Sequence, residues 1–380
     1  MNVGGLELRD REEDYVNINP LQTGGRPYAD ARKAVISYVD GYSVCDWCKG
    51  DLCSLEKPPV KAFLDDVSKF LGMDAAMLTD GAREAKYAVM HAITRPGETV
   101  VVDGNKHYTT YVAAERAGLR IYEVPSSGHP EFKVNPEDYR GVFDQVKAET
   151  GAPPKLAVLT HVDGSYGNVV DAAKVGGICK EYGVPFLLNA AYSSGRMPVD
   201  GKAVGADFVS CSCHKGWAAG GGNIGLLAVT GAWVEKVFMK SSKYKVKPLE
   251  ILGCSTRGSA TPALMASYPH VAERVKHWGT EVENARWLAG EFEKMGLTVC
   301  GERPRSHDII FVESEILFKI SETHKKKNFY LASELKDRGV IGVKSGLTKN
   351  FKLSAYGKTR EQVEHVAWAF KDIIEKHGPK

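Results

Sequence analysis

The sequence predicts an α/β protein: a mostly parallel sheet with helices on both faces over residues 61–275, then a small C-terminal α+β domain over 276–380. Three observations carry that expectation. Short apolar runs such as ETVVVD at 98–103, KLAVLT at 155–160 and PFLLNA at 185–190 alternate with segments of helical periodicity, the order in which each strand feeds a crossover helix. These runs are apolar at consecutive positions, so both faces of their sheet must be covered. After GTEVENARWLAGEFEKMG at 279–296 come three further strand candidates, DIIFVES, GVIGVKS and NFKLSAY, and a closing helix TREQVEHVAWAFKDIIEKHG.

Residues 1–60 read as an N-terminal arm, with the turn-rich NINPLQTGGRP at 17–27, a cysteine-bearing segment, and EKPPV at 56–60. VKAFLDDVSKFLG at 60–72 then repeats apolar residues at helical spacing. TDGAREAKYAVMHAI at 79–93 reads as a helix capped by Thr79 or Asp80. The alternation continues through AAERAGLRIYEVP, the solvated crossover helix KVNPEDYRGVFDQVKAETG at 133–151, PPKLAVLTHVDG, DAAKVGGICKEYGVPFLLNA, ADFVSCSCHK and NIGLLAV. THKKKNFY at 323–330 reads as a solvated basic loop, with nucleic-acid contact as its functional alternative.

A 43% hydrophobic content with 26% charged residues excludes a disordered chain, and 50 basic against 47 acidic residues leave +3, too little for nucleic-acid binding by bulk charge. Any nucleic-acid surface must be local. The N-terminal residues lack a basic-then-apolar signal layout, and no uninterrupted apolar stretch of about 18 residues occurs, so the expectation is a soluble cytoplasmic protein with no membrane partner. In a reducing compartment, the clustering of Cys45, Cys48 and Cys53, and of Cys211 and Cys213, points to chemistry or metal rather than a disulfide scaffold.

Chemistry concentrates around one lysine. In SCSCHKGWAAGGGNIG at 210–225, Lys215 follows a strand and precedes a glycine-rich turn, where its amine can enter a crevice at strand ends. A lone lysine there is more often a surface residue. Pyridoxal phosphate (PLP), however, needs an amine for its aldehyde, an anion cradle, a partner for its pyridine nitrogen and a flat group over its ring, and the chain offers each. Gly81 and Ala82 leave helix N–H groups open to a phosphate, and Arg83 adds charge. His107 in DGNKHYTT lies beyond a strand and could stack on the ring, and Asn189 ends the strand VPFLLNAAY with an amide. Taken singly, each is commoner as a packing or capping residue.

At these residues the chain resembles the fold type I PLP enzymes of the class V aminotransferase and cysteine desulfurase group, over residues 60–380. The matching features are GAREA, His107, THVDGSYG at 160–167, LLNAAY and SCHKG; the resemblance adds Ser212 and His214 to the cofactor-binding set of Lys215, Gly81, Ala82, Arg83, His107 and Asn189. Two departures narrow it. Asn189 stands where the group has an aspartate, implying a weaker electron sink, and Lys352 in NFKLSAYG stands where an arginine commonly holds a free α-carboxylate.

YSVCDWCKGDLC at 42–53 places Cys45 and Cys48 two residues apart, and Cys254 in LEILGCSTRGSATP completes a three-thiolate set. Such a set suits an iron-sulfur cluster or persulfide and disulfide states; structural zinc, for which Cys211 and Cys213 are the remaining pair, and inert thiols are the alternatives. Together with QTGGRPYADARKAVISYVDGYSVCDWC and CSTRGS, these motifs resemble the archaeal O-phosphoseryl-tRNA:cysteinyl-tRNA synthases across essentially the whole chain. That resemblance implies a homodimer that converts O-phosphoseryl-tRNA(Cys) to cysteinyl-tRNA(Cys) by β-elimination of phosphate and addition of sulfur. It implies catalytic roles for Lys215 and His107, and sulfur or cluster chemistry at Cys45, Cys48 and Cys254, with Cys53 outside the essential set. Arg26, Arg83 and Arg257 are candidates for the substrate phosphate. The implied partners are tRNA(Cys) carrying O-phosphoserine, a sulfur donor, and a complex with the phosphoseryl-tRNA synthetase or an accessory protein. The main alternative is a cysteine desulfurase using Cys300 in LTVCGERP.

Overall fold

Buried aliphatic runs fix the centre of the larger of two compact units. The computed structural model describes residues 15–39, 58–252 and 258–378. In chain order the elements begin with β1 (Val16–Asn17), α1 (Gln22–Gly25), α2 (Ala29–Tyr38), α3 (Val60–Phe70), β2 (Ala75–Thr79), α4 (Ala82–Ile93), β3 (Thr99–Asp103), α5 (Tyr108–Arg116) and β4 (Arg120–Val124). They continue with α6 (Asp138–Thr150), β5 (Leu156–Thr160), α7 (Ala172–Tyr182), β6 (Phe186–Asn189), β7 (Phe208–Ser212), α8 (Cys213–Gly216), β8 (Gly225–Val229), α9 (Gly231–Val237) and α10 (Ala260–Arg274). One compact unit comprises residues 24–279; the other comprises residues before 24 and from 280 onward.

The larger unit holds a seven-stranded sheet in the order β2-β8-β7-β6-β5-β3-β4. Strands β7, β6, β5, β3 and β4 run parallel, while β8 is antiparallel to both β7 and β2. Every residue of β3, β5, β6, β7 and β8 is buried, their aliphatic residues filling both faces of the sheet while the polar ones fall mostly at strand ends. Tyr139 of α6 is fully buried yet keeps its polar end satisfied, its hydroxyl donating to Val158 O at 2.9 Å. The parallel register sets the position of the strand ends. Thr160 lies opposite Asn189, and Asn189 opposite Ser210, so the carboxyl ends of β5, β6 and β7 reach one edge together.

The second unit contains α11 (Trp278–Lys294) from residue 280 on, β9 (Thr298–Cys300), β10 (Ile309–Glu313), α12 (Glu315–Thr323), α13 (Tyr330–Asp337), β11 (Val340–Ile341), β12 (Asn350–Ser354) and α14 (Arg360–His377). Its antiparallel sheet runs β12-β10-β9. Of the strand expected at GVIGVKS only Val340–Ile341 forms, pairing in parallel with Val16–Asn17, so the first described residues of the arm are a strand of this unit. Helix α14 buries Val363, Val366, Phe370 and Ile373 at helical spacing. Its start is fixed by a capping box between Thr359 and Gln362. THKKKNFY forms a turn and a single 3-10 turn in which Lys325, Lys326, Lys327 and Phe329 are exposed and Tyr330 is buried. No helix among the described residues is long and apolar enough to cross a membrane.

Because the Thr359 hydroxyl accepts from the Gln362 N–H at 3.2 Å, Thr359→Ala removes half of the box and should lower stability by about 1 kcal/mol in urea unfolding, whereas Thr359→Ser should match the parent protein.

Candidate active site

A parallel sheet leaves its strand ends as the place where side chains from several strands can meet one ligand. Asn189, the last residue of β6, is 2% exposed, and its side-chain oxygen has no hydrogen-bond partner. An amide buried with one end unused is costly by itself, and because its O and N ends interchange by rotation it is suited to meet a ring nitrogen. Across β5 from it, Asp103 ends β3, with Oδ2 accepting the Thr160 N–H at 2.7 Å and Oδ1 without a partner. Burial pushes the Asp103 carboxyl up to about 6.

Strand β7 ends at Ser212 and the chain enters the single turn of α8, which carries His214 and Lys215. The Lys215 Nζ lies 4.7 Å from the centre of the Tyr192 ring. The backbone of this turn is held from two sides. The Arg274 guanidinium, at the end of α10, donates to Gly195 O at 3.0 Å, Gly24 O at 3.0 Å and Gly216 O. Gly24 O and Gly25 O accept from the N–H groups of Ala218 and Gly220 at 2.9 and 3.0 Å. The approach is so close that a Cβ on Gly24 would sit 2.6 Å from Lys215 O, and one on Gly25 2.2 Å from His214 O. The TGGRP motif is thereby laid against the lysine turn, with Arg26 exposed immediately after it.

The anion cradle is built differently from the sequence expectation. Neither Thr79 nor Asp80 caps α4; Gly81 is the N-cap, at φ 115° and ψ 177°, and no N-cap side chain covers the helix start. Thr79 Oγ1 instead donates to Gly81 O at 3.1 Å, and the Asp80 N–H donates to the Glu84 carboxylate, whose other oxygen accepts from Leu252 N at 2.7 Å. Glycine is required because that backbone region is essentially closed to other residues, and because a Cβ would stand 3.3 Å from the His214 ring. Ala82 N–H donates to Ser212 Oγ at 3.4 Å. Gly81, Ala82, Ser212 and His214 are therefore one cluster at the positive end of a helix dipole. The His214 Nδ1 lies 3.1 Å from Ile224 O, and burial together with neighbouring Lys215 holds its pKa below the ordinary imidazole value, leaving a neutral ring that donates to that carbonyl.

His107 is the N-cap of α5, its Nδ1 lying 2.9 Å from Thr109 Oγ1 and 3.4 Å from Thr109 N. Arg83 lines a cavity of about 260 Å³ with Asp80, Tyr87, Arg116, Asn223 and Leu252. Cys45, Cys48, Cys53, Cys254 and Arg257 lie outside the described residues. Cys211 and Cys213 are fully buried, and burial pushes the Cys211 thiol up to about 12 and that of Cys213 up as well, so neither supplies the thiolate that a metal or a sulfur atom would need. Two residues escaped the sequence reading. Arg274 carries no motif, and Lys86, one turn beyond Arg83, is 1% exposed with an ammonium lowered to about 7 by burial, with Lys215 adding to the effect.

An amine on a turn at strand ends, an uncapped glycine-led helix start and a buried amide with an unused end fit the aldehyde, phosphate and pyridine nitrogen of PLP. Residues 87–375 match the family model described as O-phosphoseryl-tRNA(Sec) selenium transferase, SepSecS. Over 370 residues the chain is 49% identical to the O-phospho-L-seryl-tRNA:Cys-tRNA synthase of Methanothermobacter thermautotrophicus, covering 97% of each chain. The chain belongs to the O-phospho-L-seryl-tRNA:Cys-tRNA synthase family. The family's member from Methanocaldococcus jannaschii is 48% identical over 368 residues, again covering 97% of each chain. A solved SepCysS, in complex with the N-terminal domain of SepCysE, superposes with a TM-score of 0.90 at 47% identity, covering 97% of this chain and 96% of that one. An apo cysteine desulfurase from Thermococcus onnurineus NA1, at 16% identity and TM-score 0.76 over 98% of this chain and 99% of that one, shares the fold alone. The fold is that of the fold type I PLP-dependent enzymes.

This geometry has two measurable outcomes. Gly81→Ala should weaken PLP binding about tenfold or more, read as cofactor retained on dialysis, since the new methyl meets the His214 ring and the backbone must leave its open conformation. Burial raises the Asp103 carboxyl from 3.8 to about 6, so between those values the native state holds a proton that the unfolded chain has lost. Stability therefore falls as the pH rises through that interval, by at most about 3 kcal/mol at about 1.4 kcal/mol per unit. Asp103→Asn should raise the melting temperature at pH 7 and match the parent protein near pH 4.

Proposed function

We infer that the protein converts O-phosphoseryl-tRNA(Cys) into cysteinyl-tRNA(Cys) by PLP-dependent sulfur transfer. The observation that carries this reading is the near full-length identity of 49% to a synthase of that activity, joined to a lysine turn and anion cradle that fit PLP. PLP bound there supplies an electron sink that acidifies the α-carbon of the phosphoseryl group. Lys215 would hold the cofactor through Nζ, and its free amine would serve as the base for the α-proton. The first N–H groups of α4, with Ser212 and His214, would hold the cofactor phosphate, His107 would offer its flat imidazole to the ring, and Asn189 would offer its amide to the ring nitrogen. A neutral amide there suffices, because phosphate is a good leaving group and asks little of the sink.

Arg83 and Arg26 receive the departing phosphate, with Arg257 as a third donor, since a guanidinium matches phosphate in charge and fork geometry. The serine carboxyl is esterified to tRNA, so no arginine is needed for it, in keeping with Lys352 on β12. For the sulfur, Cys45, Cys48 and Cys254 act together: a persulfide on one thiol, attacked by a second, leaves a disulfide and hydrosulfide, which adds to the β-carbon. An iron-sulfur cluster on the same three thiolates is the other form this set takes. Desulfuration of free cysteine finds little support, since Cys300 is buried in β9 with its thiol pushed up to about 11 by burial.

The active species is a homodimer, and its tRNA surface includes Lys325, Lys326 and Lys327 beside the exposed Phe329. The phosphoseryl-tRNA synthetase or an accessory protein docks on it, as the SepCysE domain does on the related SepCysS.

Anaerobically purified protein with PLP and sulfide should place cysteine on phosphoseryl-tRNA(Cys), and Lys215→Ala should lower that rate by about 10²–10⁴-fold or more. Lysine-independent product, or alanine released from free cysteine in its place, would overturn the reading. Replacing Lys325, Lys326 and Lys327 by alanine should weaken tRNA binding and reduce the slope of log affinity against log salt by about 2 to 3.

A further inference from the structure

Lys86 is a lysine buried where none is needed for packing. Its Nζ lies 2.8 Å from Thr109 Oγ1 and 2.8 Å from Thr110 Oγ1, both on the first turn of α5. Thr109 Oγ1 is in turn 2.9 Å from His107 Nδ1. We propose that Lys86 is a positioning residue for His107, holding its imidazole through Thr109 as the neutral tautomer with the proton on Nε2. The proposal rests on the reading that His107 faces the cofactor.

The direction of the hydrogen bonds is fixed at both ends. An ammonium only donates, so both threonine oxygens accept from Lys86. A backbone N–H also only donates, and that of Thr109 points at His107 Nδ1 from 3.4 Å, so this nitrogen carries its lone pair. The Thr109 hydroxyl, with its oxygen already engaged by Lys86, directs its hydrogen to the same lone pair. The uncharged amine, with two hydrogens for two oxygens, would preserve the same order. Protonating Nδ1 would forfeit the bonds from Thr109, so the ring is kept from becoming a cation on the far side of Thr109 from Lys86, whose ammonium Lys215 and Arg83 already oppose. It is also left with an N–H at Nε2. Engagement of the hydroxyl oxygen by a charged donor makes its hydrogen a stronger donor, which a threonine alone would not supply. Thr110 makes the same contact with Lys86 and gives an internal control.

The test uses holoenzyme labelled with nitrogen-15 at histidine, whose long-range proton-nitrogen correlations distinguish the imidazole tautomers. His107 is assigned by the signal lost in His107→Gln. The parent protein should show His107 as the single Nε2–H form through neutral pH. Thr109→Val and Lys86→Met should each lose that single-tautomer pattern and let the ring titrate toward imidazolium at higher pH. Thr110→Val should leave it intact, and Lys86→Gln, which keeps two amide hydrogens, should restore it. A merely structural role, joining α4 to α5, predicts equal effects of Thr109→Val and Thr110→Val. That result, or an unchanged His107 pattern in Lys86→Met, overturns the proposal. Should Lys86→Met not fold, a single-tautomer pattern unchanged in Thr109→Val overturns it in the same way. The lysine-dependent cofactor absorbance of the parent protein is recorded alongside, and its absence would count against the PLP reading rather than against the tautomer assignment.

Discussion

Everything at the site depends on parallel register. Asn189 can sit between Thr160 and Ser210 only because β5, β6 and β7 run the same way and end at the same level. A shift of one residue in β6 would turn its side chains to the opposite face and carry Asn189 away from the crevice. The buried aliphatic core therefore does more than stabilise the larger unit. By locking register it brings an amide, a carboxylate and the serine that precedes the lysine turn to the same edge of the sheet.

Positive charge is left in excess there. Burial, with Lys215 and Arg83 adding to it, depresses the Lys86 ammonium, while Asp103, the buried carboxylate that favours it, itself resists ionisation. The imbalance suits a site that must receive anions, since a cofactor phosphate and a phosphoseryl group both bring negative charge. A fully neutralised crevice would be more stable and would bind them less well. The two thiols beside the lysine turn, Cys211 and Cys213, contribute no charge, because burial keeps them protonated.

Much of this was legible in the sequence, for identifiable reasons. Strands such as 99–103 and 156–160 are written as unbroken apolar runs, and α14 as a clean helical stripe, so their existence and partnering follow from burial alone. Lys215, His107 and Asn189 stand out because each falls at a strand end inside an ordered set. The cap at Gly81 was misread because Thr79 and Asp80 have the chemistry of a cap, whereas the backbone uses its glycine to keep the helix start open. Lys86 and Arg274 were invisible because a lone basic residue within a helix looks solvated until the fold encloses it. The strand at 340–341 was expected from its apolar residues, but its partner lies more than three hundred residues earlier, a pairing that no local pattern records.

The clamp on the lysine turn also has a consequence in time. Gly24 is made early in synthesis, but the guanidinium that donates to its carbonyl belongs to a residue 250 positions later. At roughly 5–20 residues per second, some 10–50 s separate the two on the ribosome. Until Lys215 is made the glycine pair has no lysine turn to rest on, and from then until Arg274 the turn waits for α10. A nascent chain halted before Arg274 would carry Lys215 on a turn that lacks this guanidinium.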